Sequence, residues 1–132
     1  MEVDGFISTL DPHGSQLLYS TYYGMDGWDS LLQVNMDENR KVAITGIVNS
    51  GGFETVNPFQ TDFDGAVDIV VIIWDEEIKL VSYLGGHMYD HPFEQVLSNG
   101  KLYLVGESSS SMFPVSADGY QRGMHGEADG II

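Results

Sequence analysis

The sequence predicts an all-β chain assembled from a repeated unit of four antiparallel strands. Three observations lead there. Helical periodicity is nowhere sustained over the 132 residues, whereas short apolar runs alternate with turn-forming clusters. A set of features recurs in one order at a nearly constant offset. The run Ile69-Val70-Val71-Ile72-Ile73-Trp74 does not alternate, so protein must cover both of its faces.

The repeat is read from five anchors. VDGFI at residues 3–7, VDIVV at 67–71 and ADGII at 128–132 each set an aspartate before an apolar strand; Asp4, Asp68 and Asp129 lie 64 and 61 residues apart. YSTYYG at 19–24 matches LVSYLG at 80–85, and Trp28-Asp29 matches Tyr89-Asp90. VAITG at 42–46 matches LYLVG at 102–106. Phe53 and Phe59-Gln60 match Phe113 and Tyr120-Gln121.

Along the chain, the first two strands flank Asp11-Pro12-His13-Gly14, a turn with proline second and glycine fourth. The complete unit is expected to hold strands at residues 30–36, 40–48, 67–75 and 79–84. Asp37-Glu38-Asn39 joins the first pair, and its counterpart Ser98-Asn99-Gly100 has the Asn-Gly of a type I′ hairpin. The long loops 49–66 and 108–128 repeat their aromatic residues and are expected to be ordered, packing those rings on the sheet. In LLYSTYYG at 17–24, tyrosine exchanges with leucine at two positions of the repeat, which marks packing. Only Tyr22 keeps its identity, opposite Tyr83, and it is expected to be buried with its hydroxyl paired.

A four-stranded antiparallel unit covered on both faces and repeated along the chain describes a β-propeller blade; a two-sheet sandwich covers one face of each sheet only. Residues 1–24 then supply two outer strands of one blade, 30–84 a complete blade, and 93–132 most of a further one. Open edges invite association, so the expectation is a fragment of a larger propeller, or else copies that assemble into a ring.

The run DGFISTLDPHGSQLLYSTYYG resembles the SBBP repeat, a β-propeller repeat family whose units read as an Asp-led apolar strand, an Asn/Asp-Pro-x-Gly turn and Tyr-Ser-Thr-Tyr-Leu-Gly-Gly. Tyr83-Leu84-Gly85-Gly86 keeps that ending, and SSSSMFPVSADGYQ at 108–121 resembles the family's Ser-rich, Phe-Pro segment. Tyr23-Gly24-Met25 and Asp75-Glu76-Glu77-Ile78 depart from the pattern, which touches individual turns. The resemblance implies an extracellular or cell-surface setting and long multi-repeat proteins. It implies no particular activity.

Composition excludes several function classes. Twenty acidic residues against 5 basic ones give a formal net charge of −15, a surface that repels phosphate backbones and anionic headgroups. Neither nucleic-acid binding nor membrane insertion is expected, since no apolar stretch approaches the roughly 20 residues of a span. There is no cysteine, hence no disulfide and no thiol nucleophile. Met1-Glu2-Val3-Asp4 carries no basic start of an export signal.

Candidate chemistry is sparse. His87 and His91 flank Asp90 and are transition-metal ligand types, but the segment follows a strand and meets Pro92, and the counterpart at 25–30 has no histidine. Asp62 and Asp64 open a D-x-D-G sequence that could hold Ca2+, though the distal glutamate of an EF-hand is missing. Asp68 and Asp129 read as strand-entry residues that cap backbone donors. Ser108-Ser109-Ser110-Ser111 lacks the setting of a nucleophile elbow and reads as a flexible polar loop. Trp28 and Tyr89 are candidate carbohydrate contacts, with packing as the competing reading. The leading expectation is a non-catalytic binding or structural scaffold whose partners are further blades, other copies of the chain, or a protein or glycan ligand. The alternative is a propeller enzyme acting on an extracellular polymer such as a glycan through loop carboxylates.

Overall fold

The computed structural model describes residues 2–132, and among them there are nine strands and no helix. β1 (Gly5–Leu10) pairs with β2 (Leu17–Tyr23) in a two-stranded sheet. β3 (Asp29–Met36), β4 (Val42–Val48), β5 (Asp68–Asp75) and β6 (Glu77–Leu84) form a four-stranded sheet in chain order. β7 (Asp90–Ser98), β8 (Lys101–Ser108) and β9 (Asp129–Ile131) form a three-stranded sheet. All strand pairings within the sheets are antiparallel.

Local chemistry sets the connections. Asn99 (φ 50°) and Gly100 (φ 73°) both take the positive φ of a type I′ turn between β7 and β8. The β3–β4 link closes differently: Asp37 Oδ1 accepts the N–H groups of Asn39 and Lys41, each at 2.9 Å, and Arg40 absorbs a φ of 68°. Between β5 and β6 the missing Pro-x-Gly turn is replaced by one residue, Glu76 at φ 59°, with Asp75 opposite Glu77.

The middle sheet is covered on both faces, as its apolar central strand requires. Because side chains alternate across a strand, Val70 and Ile72 face one way and Ile69 and Val71 the other; all four are buried. On the first face Ile44, Val48, Val70, Ile72, Val81 and Tyr83 form the core, with Ile7 and Tyr23 of the first sheet packed against them. On the opposite face β7 lies over β3, β4 and β5. There the Gln95 side chain donates to the Ala43 carbonyl at 3.0 Å, and Asn35 Oδ1 accepts from the Leu97 N–H at 2.9 Å.

Successive sheets are also stapled through the backbone at equivalent places. Val3 forms a parallel bridge with Trp28, ahead of β3, and Val67 forms the matching bridge with Tyr89, ahead of β7.

The 49–66 loop packs Phe53 and Phe63 on the sheet, but its Phe59 is exposed, and in the 108–128 loop Tyr120 is fully exposed, so the expected packing of the repeated rings holds only in part. Phe53 stacks on Tyr23 at 5.3 Å, and Phe53 and Phe63 meet Tyr83 edge-on at 6.2 and 6.1 Å. Val56 bridges to Val81, so the loop runs along β6 and covers the edge of the sheet.

The expectation for Tyr22 also fails. Tyr22 is 81% exposed, not buried, whereas its counterpart Tyr83 is 2% exposed and its hydroxyl accepts the Phe53 N–H at 3.1 Å. The difference lies in the covering segment. Tyr83 is enclosed by the 49–66 loop, while among the described residues no loop lies over Tyr22 on the outer face of the first sheet.

Candidate functional site

The chemistry-bearing residues gather where one sheet hands over to the next. Each handover is built from a strand-entry aspartate, a glycine that ends the unit's last strand, and the aspartate that opens the following sheet. In the first handover these are Asp4, Gly24 and Asp29; in the second they are Asp68, Gly85 and Asp90. Gly85 is held between the two carboxylates: a Cβ there would collide with Asp68 Oδ1 and lie 2.8 Å from Asp90 Oδ2. A Cβ on Gly24 would sit 2.5 Å from Asp4 Oδ1. The repeated Tyr-x-Gly ending is thus a requirement for close approach.

Each buried aspartate is tied to its own turn. Met25 N–H donates to Asp29 Oδ2 at 2.6 Å, and Gly86 N–H donates to Asp90 Oδ2 at 2.8 Å. Asp64 N–H donates to Asp68 Oδ2 at 3.0 Å, and the less buried Asp129 accepts the His125 N–H on Oδ2 at 2.7 Å. The capping role expected of Asp68 and Asp129 is what the geometry supplies.

The serines have a different role from the one expected. Ser108 and Ser110 are 3% and 2% exposed, so this stretch is not a flexible polar loop. Ser108 Oγ donates to Asp90 Oδ1, and Ser110 Oγ donates to Asp90 Oδ2 at 2.9 Å. Val48 pairs with Asp29 as Ser108 pairs with Asp90. Val48 has no hydroxyl to offer, and Asp29 Oδ1 is buried without a partner.

Gln60 is visible in the sequence only as a repeated residue; its work appears in three dimensions. Its side-chain amide donates to Asp68 Oδ2 at 3.4 Å, and its Oε1 accepts the Gly85 N–H at 3.1 Å. Gln121, its repeat partner, donates to Asp129 Oδ2 at 2.6 Å.

The electrostatics follow burial. Asp68, with Oδ1 unpartnered, is pushed up to about 6, chiefly by burial and further by the Asp90 and Asp64 charges, against the lowering effect of the Asp64 N–H. Asp29 is raised above the usual carboxylate range, again mainly by burial, with Asp4 adding to it.

Asp62 and Asp64 are exposed loop residues, and their segment lies beside 86–88, where Ala66 and Val67 N–H both reach the Met88 carbonyl at 3.0 Å. His87 is exposed in that turn; His91 is half-buried in β7, its ring 5.6 Å from Phe93 and its Nδ1 buried without a partner. The two candidate metal segments are therefore neighbours, yet among the described residues no three His, Asp or Glu side chains converge as a cation site.

Trp28 and Tyr89 occupy equivalent points on the two handovers. Their backbones are fixed: Trp28 N–H reaches Asn49 Oδ1 at 2.7 Å and Tyr89 N–H reaches Ser109 Oγ at 3.1 Å. The two residues are 41% and 58% exposed. Comparison of the chain with family models, curated proteins and solved structures finds no match.

Proposed function

We propose that this chain is a β-propeller segment that serves as a binding or structural scaffold outside the cell or at its surface. The observation that carries this reading is the closure of its buried carboxylates. The raised carboxyls of Asp29 and Asp68, and Asp90 beside Asp68, are all buried and hydrogen-bonded to their own turns. A general acid must touch its substrate, and no substrate reaches a carboxylate with almost no exposed surface. Aromatic rings held on fixed backbones at equivalent turns are what a binding face requires, since stacking on a sugar or a protein needs area and little ordering on contact. The sheet-on-sheet stacking and the likeness of the sequence to SBBP repeats support the propeller and the extracellular setting.

A panel of immobilised glycans and extracellular proteins, run together with labelled polysaccharides, tests this. Retention without turnover is the expected result. Replacing Trp28 and Tyr89 together by alanine is expected to weaken retention on the order of tenfold or more with the melting temperature unchanged. Reproducible cleavage of a polysaccharide by the purified chain would defeat the scaffold reading.

A further inference from the structure

The second handover buries two carboxylates side by side. Asp68 and Asp90 have no exposed surface, each at 0%. The point where a Cβ on Gly85 would stand lies within 2.8 Å of both Asp68 Oδ1 and Asp90 Oδ2, so the two oxygens converge beside a bare glycine. We propose that this handover is a calcium site, one Ca2+ held between Asp68 Oδ1 and Asp90 Oδ2 next to Gly85. Such a site is independent of what the aromatic rings bind.

Both groups are held as anions. The Ser108 and Ser110 hydroxyls and the Gly86 N–H donate to Asp90, and the Asp64 N–H and the Gln60 amide donate to Asp68. One oxygen is left over. Asp68 Oδ1 is buried without a hydrogen-bond partner, and it is the oxygen turned toward Gly85 and Asp90. Two anions at this depth need a positive partner, because an unpaired buried charge is costly. Among the described residues the one ion pair is Glu77 with Lys79 at the surface, so no Lys, Arg or His supplies it.

The donor set selects the ion. Besides the two carboxylates, Gln60 Oε1 lies 3.1 Å from the Gly85 N, and Ser110 Oγ lies 2.9 Å from Asp90 Oδ2. Carboxylate, amide and hydroxyl oxygens suit a hard cation and offer nothing to a soft one. Two carboxylates completed by neutral oxygens need no third acid. Their convergence matches calcium–oxygen contacts of roughly 2.3–2.6 Å, and a closed site suits calcium better than magnesium, which keeps its waters. The loop carrying Asp62 and Asp64 borders the site, and Asp64 serves it through its backbone N–H. A side chain at residue 85 would fill the cradle, which gives the glycine a second reason to be there.

Melting of the purified full chain in calcium chloride and in chelator, at fixed ionic strength, tests the site. Calcium at about a hundred times its Kd should raise the melting temperature by about 5–10 °C, and magnesium should do much less. Asp68→Asn keeps the shape and removes the charge, so it should lose that rise; Asp62→Asn should keep it. In the wild type, carboxyl NMR should show the Asp68 and Asp90 signals moving with calcium while the Asp62 signal stays. A full calcium response in Asp68→Asn overturns the site. So does an equal wild-type melting temperature in calcium and chelator, which would mean that the two carboxylates share a proton in place of the cation. Should Asp68→Asn misfold, the NMR readout decides: Asp68 and Asp90 signals that ignore calcium overturn the site.

Discussion

A buried carboxylate with one oxygen bare is costly when ionised, and Asp68 is the clearest case. Its folded value, raised to about 6, lies above the roughly 3.9 of an unfolded aspartate. Between those values the folded chain binds the proton more tightly, so stability falls as pH rises through that window. The loss at neutral pH is about 3 kcal/mol, from a pKa difference of about two at roughly 1.36 kcal/mol per unit. Chemical denaturation from pH 4 to pH 7 should show this slope, and Asp68→Asn should flatten it and raise stability at neutral pH. Asp29 and Asp90 offer a paired test, because Val48 and Ser108 occupy equivalent positions beside them. Val48→Thr supplies a hydroxyl to the bare Asp29 Oδ1 at nearly constant volume, and carboxyl NMR should show the Asp29 titration moving down. Ser108→Val strips a donor from a fully buried carboxylate and should destabilise the fold by about 1–3 kcal/mol.

The strands carry two devices whose removal can be measured. Gly46 and Gly106 are repeat equivalents, each opposite a register shift: in β3 between Leu31 and Gln33, and in β7 between Pro92 and Glu94. The bulge drives the carbonyl of Ser30 or His91 against the glycine, where any Cβ would clash with backbone. Gly46→Ala should therefore cost about 2 kcal/mol or more, read as a lower denaturation midpoint. At Glu76 the effect runs the other way. That residue is held at φ 59°, exposed, between Asp75 and Glu77, so Glu76→Gly relieves strain and removes one of three adjacent acids. It should stabilise the protein by about 1 kcal/mol.

At the scale of the molecule, a net charge of −15 acts on every element at once. The described acids have one ion pair, Glu77 with Lys79 at 2.8 Å, and it is exposed, so self-repulsion is largely uncompensated. Raising ionic strength from low to physiological should increase the melting temperature by screening that repulsion. The buried face-to-face core does not depend on salt, so a cooperative transition should persist in low salt. Loss of the fold there would mark the acidity as an adaptation to high salt.

The all-β class, the repeat and the turn chemistry are written in the sequence alone, since alternation, Asn-Gly and recurring glycines are local or periodic signals carried by single residues. The capping aspartates are legible for the same reason: Asp68 reaches an N–H only four residues back. The exposure of Tyr22 is not legible. Tyr22 and Tyr83 have matching local sequence, and only the presence of a covering loop on one of them separates 81% from 2% exposure. Nor can the roles of Ser108, Ser110 and Gln60 be read along the chain, because they act on partners 8 to 25 residues away. Which repeated residues are enclosed is settled only in three dimensions, since enclosure depends on what the next sheet or loop brings, and a repeat is silent about its neighbours.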